Sequence, residues 1–235
     1  MKIVADLHIH TISSGHAYST LEEYIAQAKK IGLKAIGITD HASTMPGGPH
    51  QYHFSNMRMI PKEIRGIRVY RGVEANIINN GGEIDYAEDD FTDLDIVMAA
   101  LHPVPGCYSN QGKKINTEVL LKTLANPLVN VLAHPGNPKY PIKVEETVAA
   151  AKANGVLIEI NNSSPFSRAG SRDKCVEFAK EVKRQDWQVI LGTDSHISTM
   201  LGVFEDALKI VKEAGLAEKH VVNTSLAKID KWLKR

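Results

Sequence analysis

Short apolar runs alternate with amphipathic stretches along the whole chain. The runs Ile3–His8, Lys34–Thr39, Arg68–Glu74, Asp95–Leu101, Val129–His134, Leu157–Asn161 and Gln188–Gly192 are rich in Val, Ile, Leu or Ala. Continuous apolar character over so few residues predicts strands covered on both faces. Between them, helices are expected over Thr20–Ile31, Ser55–Ile64 (interrupted by Pro61), Thr117–Ala125, Val144–Ala153, Ser171–Arg184, Val203–Ala214 and Ser225–Leu233. Thr20 followed three residues later by Glu23 is a capping-box pattern, and Gly32 fits the stop of that helix. The stretch Ile77–Tyr86 places Asn79-Asn80-Gly81-Gly82 between apolar residues and reads as a small hairpin after the third strand. Seven βα units in series predict an α/β fold, either a closed seven-stranded parallel barrel or a doubly wound open sheet. No internal repeat, low-complexity tract or linker interrupts the pattern, so residues 1–235 are expected to form a single domain.

Composition narrows the function classes. The 235 residues are 43% hydrophobic, enough for one sizeable core. Lys and Arg total 28 against 27 Asp and Glu, a formal charge of +1. That balance disfavours a long basic groove, and with it nucleic acid as a partner. Cys107 and Cys175 are too few for a disulfide framework, which makes a reduced, cytoplasmic setting the expectation. The first residues lack the apolar stretch of a signal peptide, and the longest clear apolar run, Ile96–Leu101, is far too short to cross a membrane.

The ten histidines change the picture, because they fall at strand ends. His8 and His10 end the first strand and His16 follows in its loop. His41 follows the second strand, Glu74 ends the third, His102 the fourth and His134 the fifth. Asp194 and His196 follow the seventh. In parallel α/β folds the C-terminal strand ends share one mouth, where sites are built. A lone His-x-His is more often structural or solvated than metal-binding, and His102, His134 or Glu74 alone would read as packed or ion-paired. Seven imidazoles and two carboxylates buried together, however, would leave many polar groups without partners unless cations joined them. Nine donors exceed the needs of one tetrahedral zinc, and an imidazole-rich shell suits zinc, iron or manganese over magnesium or calcium. Three ions, with Glu74 as the shared carboxylate, is the expected count. Asp6, taken to share the His8 face, and Asp40, beside His41, read as acceptors that orient ligand imidazoles. His50 and His53 lie in the Pro/Gly-rich stretch Met45–Phe54 and read as solvated loop residues, with a substrate lid as the functional alternative. His220, outside every strand end, reads as a surface residue.

These blocks resemble the PHP (polymerase and histidinol phosphatase) family, and within it the YcdX-type phosphatases. The matching pieces are Asp6-Leu7-His8-Ile9-His10-Thr11, His16-Ala17-Tyr18-Ser19-Thr20, Ile38-Thr39-Asp40-His41, Gly72-Val73-Glu74-Ala75-Asn76, His134-Pro135-Gly136-Asn137-Pro138-Lys139-Tyr140, Glu159-Ile160-Asn161-Asn162-Ser163-Ser164 and Asp194-Ser195-His196. The resemblance implies a distorted (β/α)7 TIM-like barrel with a trinuclear centre. It assigns His8, His10, Glu74 and Asp194 to one ion, His16, His41 and His196 to a second, and Glu74, His102 and His134 to a third. Zinc is the metal expected, with Mn²⁺ or Fe²⁺ as alternatives.

The chemistry expected of such a centre is hydrolysis of a small phosphorylated substrate by a metal-bridging hydroxide, with no side-chain nucleophile. The leaving-group acid is open between a metal-bound water, His53 and Asp194. Arg168 is the candidate phosphate clamp, because a guanidinium offers two parallel donors; Lys139 has a weaker claim. The alternatives are a dedicated histidinol-phosphate phosphatase, a phosphodiesterase or 3′–5′ exonuclease, and a non-catalytic metal-binding module. Association into a homo-oligomer stays open. Walker A, dinucleotide-binding and Gly-x-Ser-x-Gly motifs are absent.

Overall fold

The computed structural model describes residues 1–87 and 94–233. Its strands are β1 (Ala5–Ile9), β2 (Ala35–Ile38), β3 (Glu63–Ile64), β4 (Ile67–Asn76), β5 (Ile96–Ala100), β6 (Val131–Leu132), β7 (Leu157–Asn161) and β8 (Val189–Gly192). Seven of them pair in parallel in the order β1-β2-β4-β5-β6-β7-β8, with β3 antiparallel on β4. The helices are α1 (Leu21–Ile31), α2 (Gln51–Asn56), α3 (Lys113–Leu124), α4 (Val144–Asn154), α5 (Ser164–Ser167), α6 (Arg172–Arg184), α7 (Glu205–Ala214) and α8 (Leu226–Leu233). The result is a nearly closed barrel rather than an open sheet.

The first and last strands meet without a continuous ladder, which is the distortion. At the upper end Asp194 N donates to His8 O (2.9 Å) and His10 N to Ser195 O (2.8 Å). At the lower end a buried side chain stands in for the missing bonds. Asn223 Nδ2 donates to Ala5 O (2.9 Å) and Leu191 O (2.7 Å), while Leu191 N donates to Asn223 Oδ1 (3.1 Å). A side-chain amide carries the same donor and acceptor as a peptide, so it satisfies both strands where neither reaches the other.

Period-2 alternation explains how apolar strands deliver polar groups to one end. Ala5, Leu7, Tyr70, Ile96, Met98, Val131, Leu157 and Ile190 pack in one buried cluster, with Trp232 and Ile229 of α8 beneath them. Two or four residues further along the same faces come Glu74, His102, Glu159 and Asp194. The lower interior is therefore hydrocarbon and the upper interior ionisable. In β1 the register slips between Asp6 and Ile9, where one extra residue is accommodated. Such a bulge re-aims the side chains beyond it. Leu7 points inward with Ala5, and His8 also faces the interior.

The predicted strands match the observed ones to within a few residues. α1 carries the expected capping box, with Glu23 N donating to Thr20 Oγ1 and Thr20 N to Glu23 Oε2, and Gly32 takes the left-handed conformation at its end. The predicted hairpin is present as a bridge between Ile77 and Ile84 around the turn Asn79–Gly82. The helix expected over Ser55–Ile64 is displaced. α2 begins at Gln51, Pro61 lies beyond it, and Glu63–Ile64 turns back onto β4 through Arg65 and Gly66, both at positive φ. That is a two-residue hairpin turn, which glycine at its second position favours. α3 begins a turn earlier than Thr117, at Lys113.

Candidate metal centre

Glu74 sits fully buried at the middle of the upper interior. Its Oε2 lies 3.5 Å from His8 Nε2, 3.5 Å from His10 Nε2 and 2.8 Å from His41 Nδ1. Its Oε1 lies 2.7 Å from His134 Nε2 and 3.4 Å from His102 Nε2. One carboxylate thus faces five imidazoles drawn from four strand ends. Asp194 Oδ1 is 3.2 Å from His10 Nε2 and 3.6 Å from His8 Nε2, and those two nitrogens are 3.2 Å apart. The His196 ring lies 4.4 Å from that of His10, and the His16 ring 5.1 Å from that of His41 and 4.9 Å from that of His196. All nine side chains expected at the mouth are brought together.

His134 and Asp194 have φ of 31° and 55°. Non-glycine residues at positive φ are uncommon and concentrate where the surrounding structure holds a functional group in place.

Outer partners fix the rings. Buried Glu159 accepts from His8 Nδ1 (2.7 Å) and from the His134 backbone N–H (2.8 Å). Asn76 Oδ1 accepts from His102 Nδ1 (2.7 Å), and the Asp194 carbonyl from His196 Nδ1 (3.0 Å). Each turns Nε2 toward the mouth, the usual way a ligand imidazole is oriented. Glu159 was not singled out from the sequence. Its signal is a carboxylate two residues after Leu157 on the inward face of a strand that is otherwise apolar.

Asp40 and Asp6 depart from expectation. Asp40 accepts from Thr11 N (2.7 Å), Thr11 Oγ1 (2.8 Å) and Ser14 Oγ (2.7 Å). It reaches His10 only through Ser14, whose Oγ is 3.2 Å from His10 Nδ1. Asp6 orients no imidazole. It accepts from Thr193 N, Thr193 Oγ1 and Gly202 N (3.2, 2.6 and 3.1 Å), fastening the loop that carries Asp194. The bulge in β1 is the reason, since it takes Asp6 off the face that His8 occupies.

Burial, and then the neighbouring His41, holds the His10 pKa down at about 3. Burial, and then the Arg168 guanidinium, holds His134 at about 4. Both rings are neutral at physiological pH and offer lone pairs. Burial pushes Glu74 up, but His102, His8 and His41 outweigh it and keep the carboxyl well below its ordinary range. Asp194 is likewise kept low by His8, His10 and Arg168 against its burial. Burial opposes charge on His8, yet Glu159, Glu74 and Asp194 raise it well above an ordinary imidazole. The centre therefore calls for positive charge among its carboxylates.

The donor set fits a divalent transition ion. Five of the six separations among His8 Nε2, His10 Nε2, Glu74 Oε2 and Asp194 Oδ1 fall between 3.2 and 3.6 Å. A tetrahedron with bonds of about 2.0–2.1 Å has edges of roughly 3.3 Å. Buried His41 Nδ1 and Glu74 Oε2 stand 2.8 Å apart but are not aligned for a hydrogen bond and make no other, the state of ligand atoms turned toward a cation. Three further triples bring donor atoms within 4.8 Å of one another: His10, His41 and His196; His8, Glu74 and His134; and His41, Glu74 and His102.

The mouth opens into a cavity of about 410 Å³ whose lining includes His16, His102, Ser163, Arg168 and His196. Arg168 Nη2 donates to Asp194 Oδ2 (3.2 Å), so the candidate clamp stands at the centre's edge. Lys139 is exposed and outside the lining. His50 caps α2 by accepting from Tyr52 N, and His53 Nε2 is turned to Asp40 Oδ2, 3.6 Å away, so neither forms the cavity wall. His220 is not on the surface. It is 6% exposed and accepts from Ala217 N through Nδ1, because the chain folds back there against β8.

Gly192 leaves the room this centre needs. A Cβ there would collide with the Glu159 carboxylate and lie 2.8 Å from His8 Cβ. Gly192→Ala is expected to lower the thermal midpoint by several degrees, since overpacking costs about 1–3 kcal/mol, and to weaken metal retention by displacing Glu159 from His8. A melting curve with elemental analysis checks both.

A seven-stranded α/β barrel with a histidine-lined, carboxylate-centred mouth is the class of protein that fold and site define. A PHP domain model matches residues 6–163. The whole chain is 44% identical, over 235 residues and 97% of the relative's length, to a probable phosphatase of Acetivibrio thermocellus. Over 95% of the chain it is 46% identical to a probable phosphatase of Proteus mirabilis, covering 91% of that protein. The fold resembles that of the Lactococcus lactis histidinol phosphate phosphatase, solved with zinc, L-histidinol and phosphate. That match has a TM-score of 0.64 at 19% identity and covers 91% of this chain and 94% of the other. The chain belongs to the PHP family.

Proposed function

We propose that residues 1–235 act as one metal-dependent phosphoric monoester hydrolase with a trinuclear centre. The observation that carries the reading is the donor set around Glu74, whose spacing suits divalent transition ions. His8, His10, Glu74 and Asp194 would hold one ion, His16, His41 and His196 a second, and Glu74, His102 and His134 a third. Zinc suits these donors best, with Mn²⁺ or Fe²⁺ as alternatives. The zinc-bearing fold neighbour and the relatives named as probable phosphatases support this reading. Two unpaired thiols, Cys107 and Cys175, suit the reduced cytoplasm, where we place the protein.

Bound ions of this kind supply an acidified water and positive charge opposite a phosphate. The chain's own residues do the rest. Glu159 and Asn76 hold His8 and His102 in fixed tautomers. Arg168, at the cavity wall, turns a pair of donors to the phosphate oxygens and steadies the charge that builds there. Among the described residues no helix is long and apolar enough to cross a membrane, and the substrate proposed is a small molecule.

Release of inorganic phosphate from a panel of monoesters, beside a diester and a short single-stranded DNA, tests the reading. Monoester turnover is expected, and Arg168→Ala is expected to lower kcat/KM by about 10- to 100-fold, the worth of hydrogen bonds to a charged group. Cleavage of DNA without monoester turnover would overturn it.

A further inference from the structure

The cavity lining mixes two kinds of side chain. One is the histidine mouth with Arg168. The other is apolar: Phe166, Ile197, Met200 and Met45. Phe166 lies on α5, two residues before Arg168, and is 93% exposed. Ile197 and Met200 are 41% and 45% exposed. A single exposed apolar side chain is ordinary. Several on the wall of one cavity, beside the group that meets the phosphate, form a surface suited to an apolar ligand. The charge pattern adds a second constraint. Asp194 is the only carboxylate on the described lining, and it already faces His10 at 3.2 Å and Arg168 at 3.2 Å. Among the described residues of the lining, no anionic group is free to receive an ammonium.

We infer that the substrate is the phosphomonoester of an uncharged alcohol bearing an aromatic ring, that Phe166 is the wall on which the ring packs, and that phosphates of amino alcohols are discriminated against. This rests on the phosphatase reading above. In the reaction the bond from phosphorus to the alcohol oxygen breaks, water oxygen bonds to phosphorus, and the alcohol leaves with a proton that originates from water. The ring takes no part in that exchange. It binds because it covers exposed hydrocarbon and stacks against the Phe166 face.

Three esters with similar primary leaving groups test the inference: 2-phenylethyl phosphate, ethyl phosphate and 2-aminoethyl phosphate, assayed with the metal-loaded protein. kcat/KM for 2-phenylethyl phosphate is expected to exceed that of the other two by about tenfold or more, within the range a hydrophobic pocket can discriminate. Phe166→Ala should collapse the phenylethyl-to-ethyl ratio toward one, and Phe166→Tyr should keep it. An aminoethyl ester turned over as well as the phenylethyl one, or a ratio unmoved by Phe166→Ala, overturns this inference and leaves the phosphatase reading standing. Absence of phosphate release from all three esters overturns that reading, and this one with it.

Discussion

Glu74→Gln is expected to lower kcat by about a thousandfold or more while the barrel stays folded. The amide keeps the volume of the carboxylate, so the hydrocarbon packing below it is undisturbed. What it removes is the negative charge that faces five imidazoles, with Oε1 toward His134 and His102 and Oε2 toward His8, His10 and His41. Two of the three proposed ions use this side chain, so its loss lowers occupancy at both and disorders their spacing. Losses of this size follow when charge stabilisation and the source of the nucleophile are removed together. Steady-state assay, elemental analysis and far-ultraviolet circular dichroism on one preparation check the outcome. Turnover within tenfold of the parent protein, at unchanged metal content, would contradict the assignment.

Chelation is the second large effect. Stripping the ions is expected to abolish turnover and to lower the melting temperature by roughly 10 °C. Saturation at a thousand times Kd stabilises the folded state by about 4 kcal/mol, and a chain of this size shifts by about 2–4 °C per kcal/mol. The direction follows from the charges. Glu74, Asp194 and Glu159 are gathered in the interior, and cations offset the cost of keeping them there. Zn²⁺ or Mn²⁺ should restore both activity and melting temperature. Full turnover in protein shown by elemental analysis to hold no transition metal would contradict the reading.

Much of this was legible in the sequence because the fold repeats one local rule. A strand buried on both faces reads as an apolar run, and a His, Glu or Asp at its end stands out against it. That contrast located Glu74, His102 and His134 before any tertiary contact was known. Features that depend on contacts between distant segments were hidden. The bulge in β1 leaves no compositional trace, so strict alternation puts Asp6 on the wrong face. Glu159 is legible as a buried carboxylate only once Leu157 is known to point into the barrel. Nothing local to His220 marks it as buried, because its burial comes from packing against β8, more than 25 residues away in sequence. The early start of α3 reflects a first turn, Lys113–Asn116, whose single apolar residue, Ile115, sets no period to reveal it.

The seam sealed by Asn223 has a consequence for how the mouth is held open. One amide ties the lower ends of β1 and β8 together, and the upper ends of those same two strands carry His8 and His10 on one side and lead to Asp194 on the other. The spacing of those three side chains is thereby set from below by a hinge pin that touches none of them.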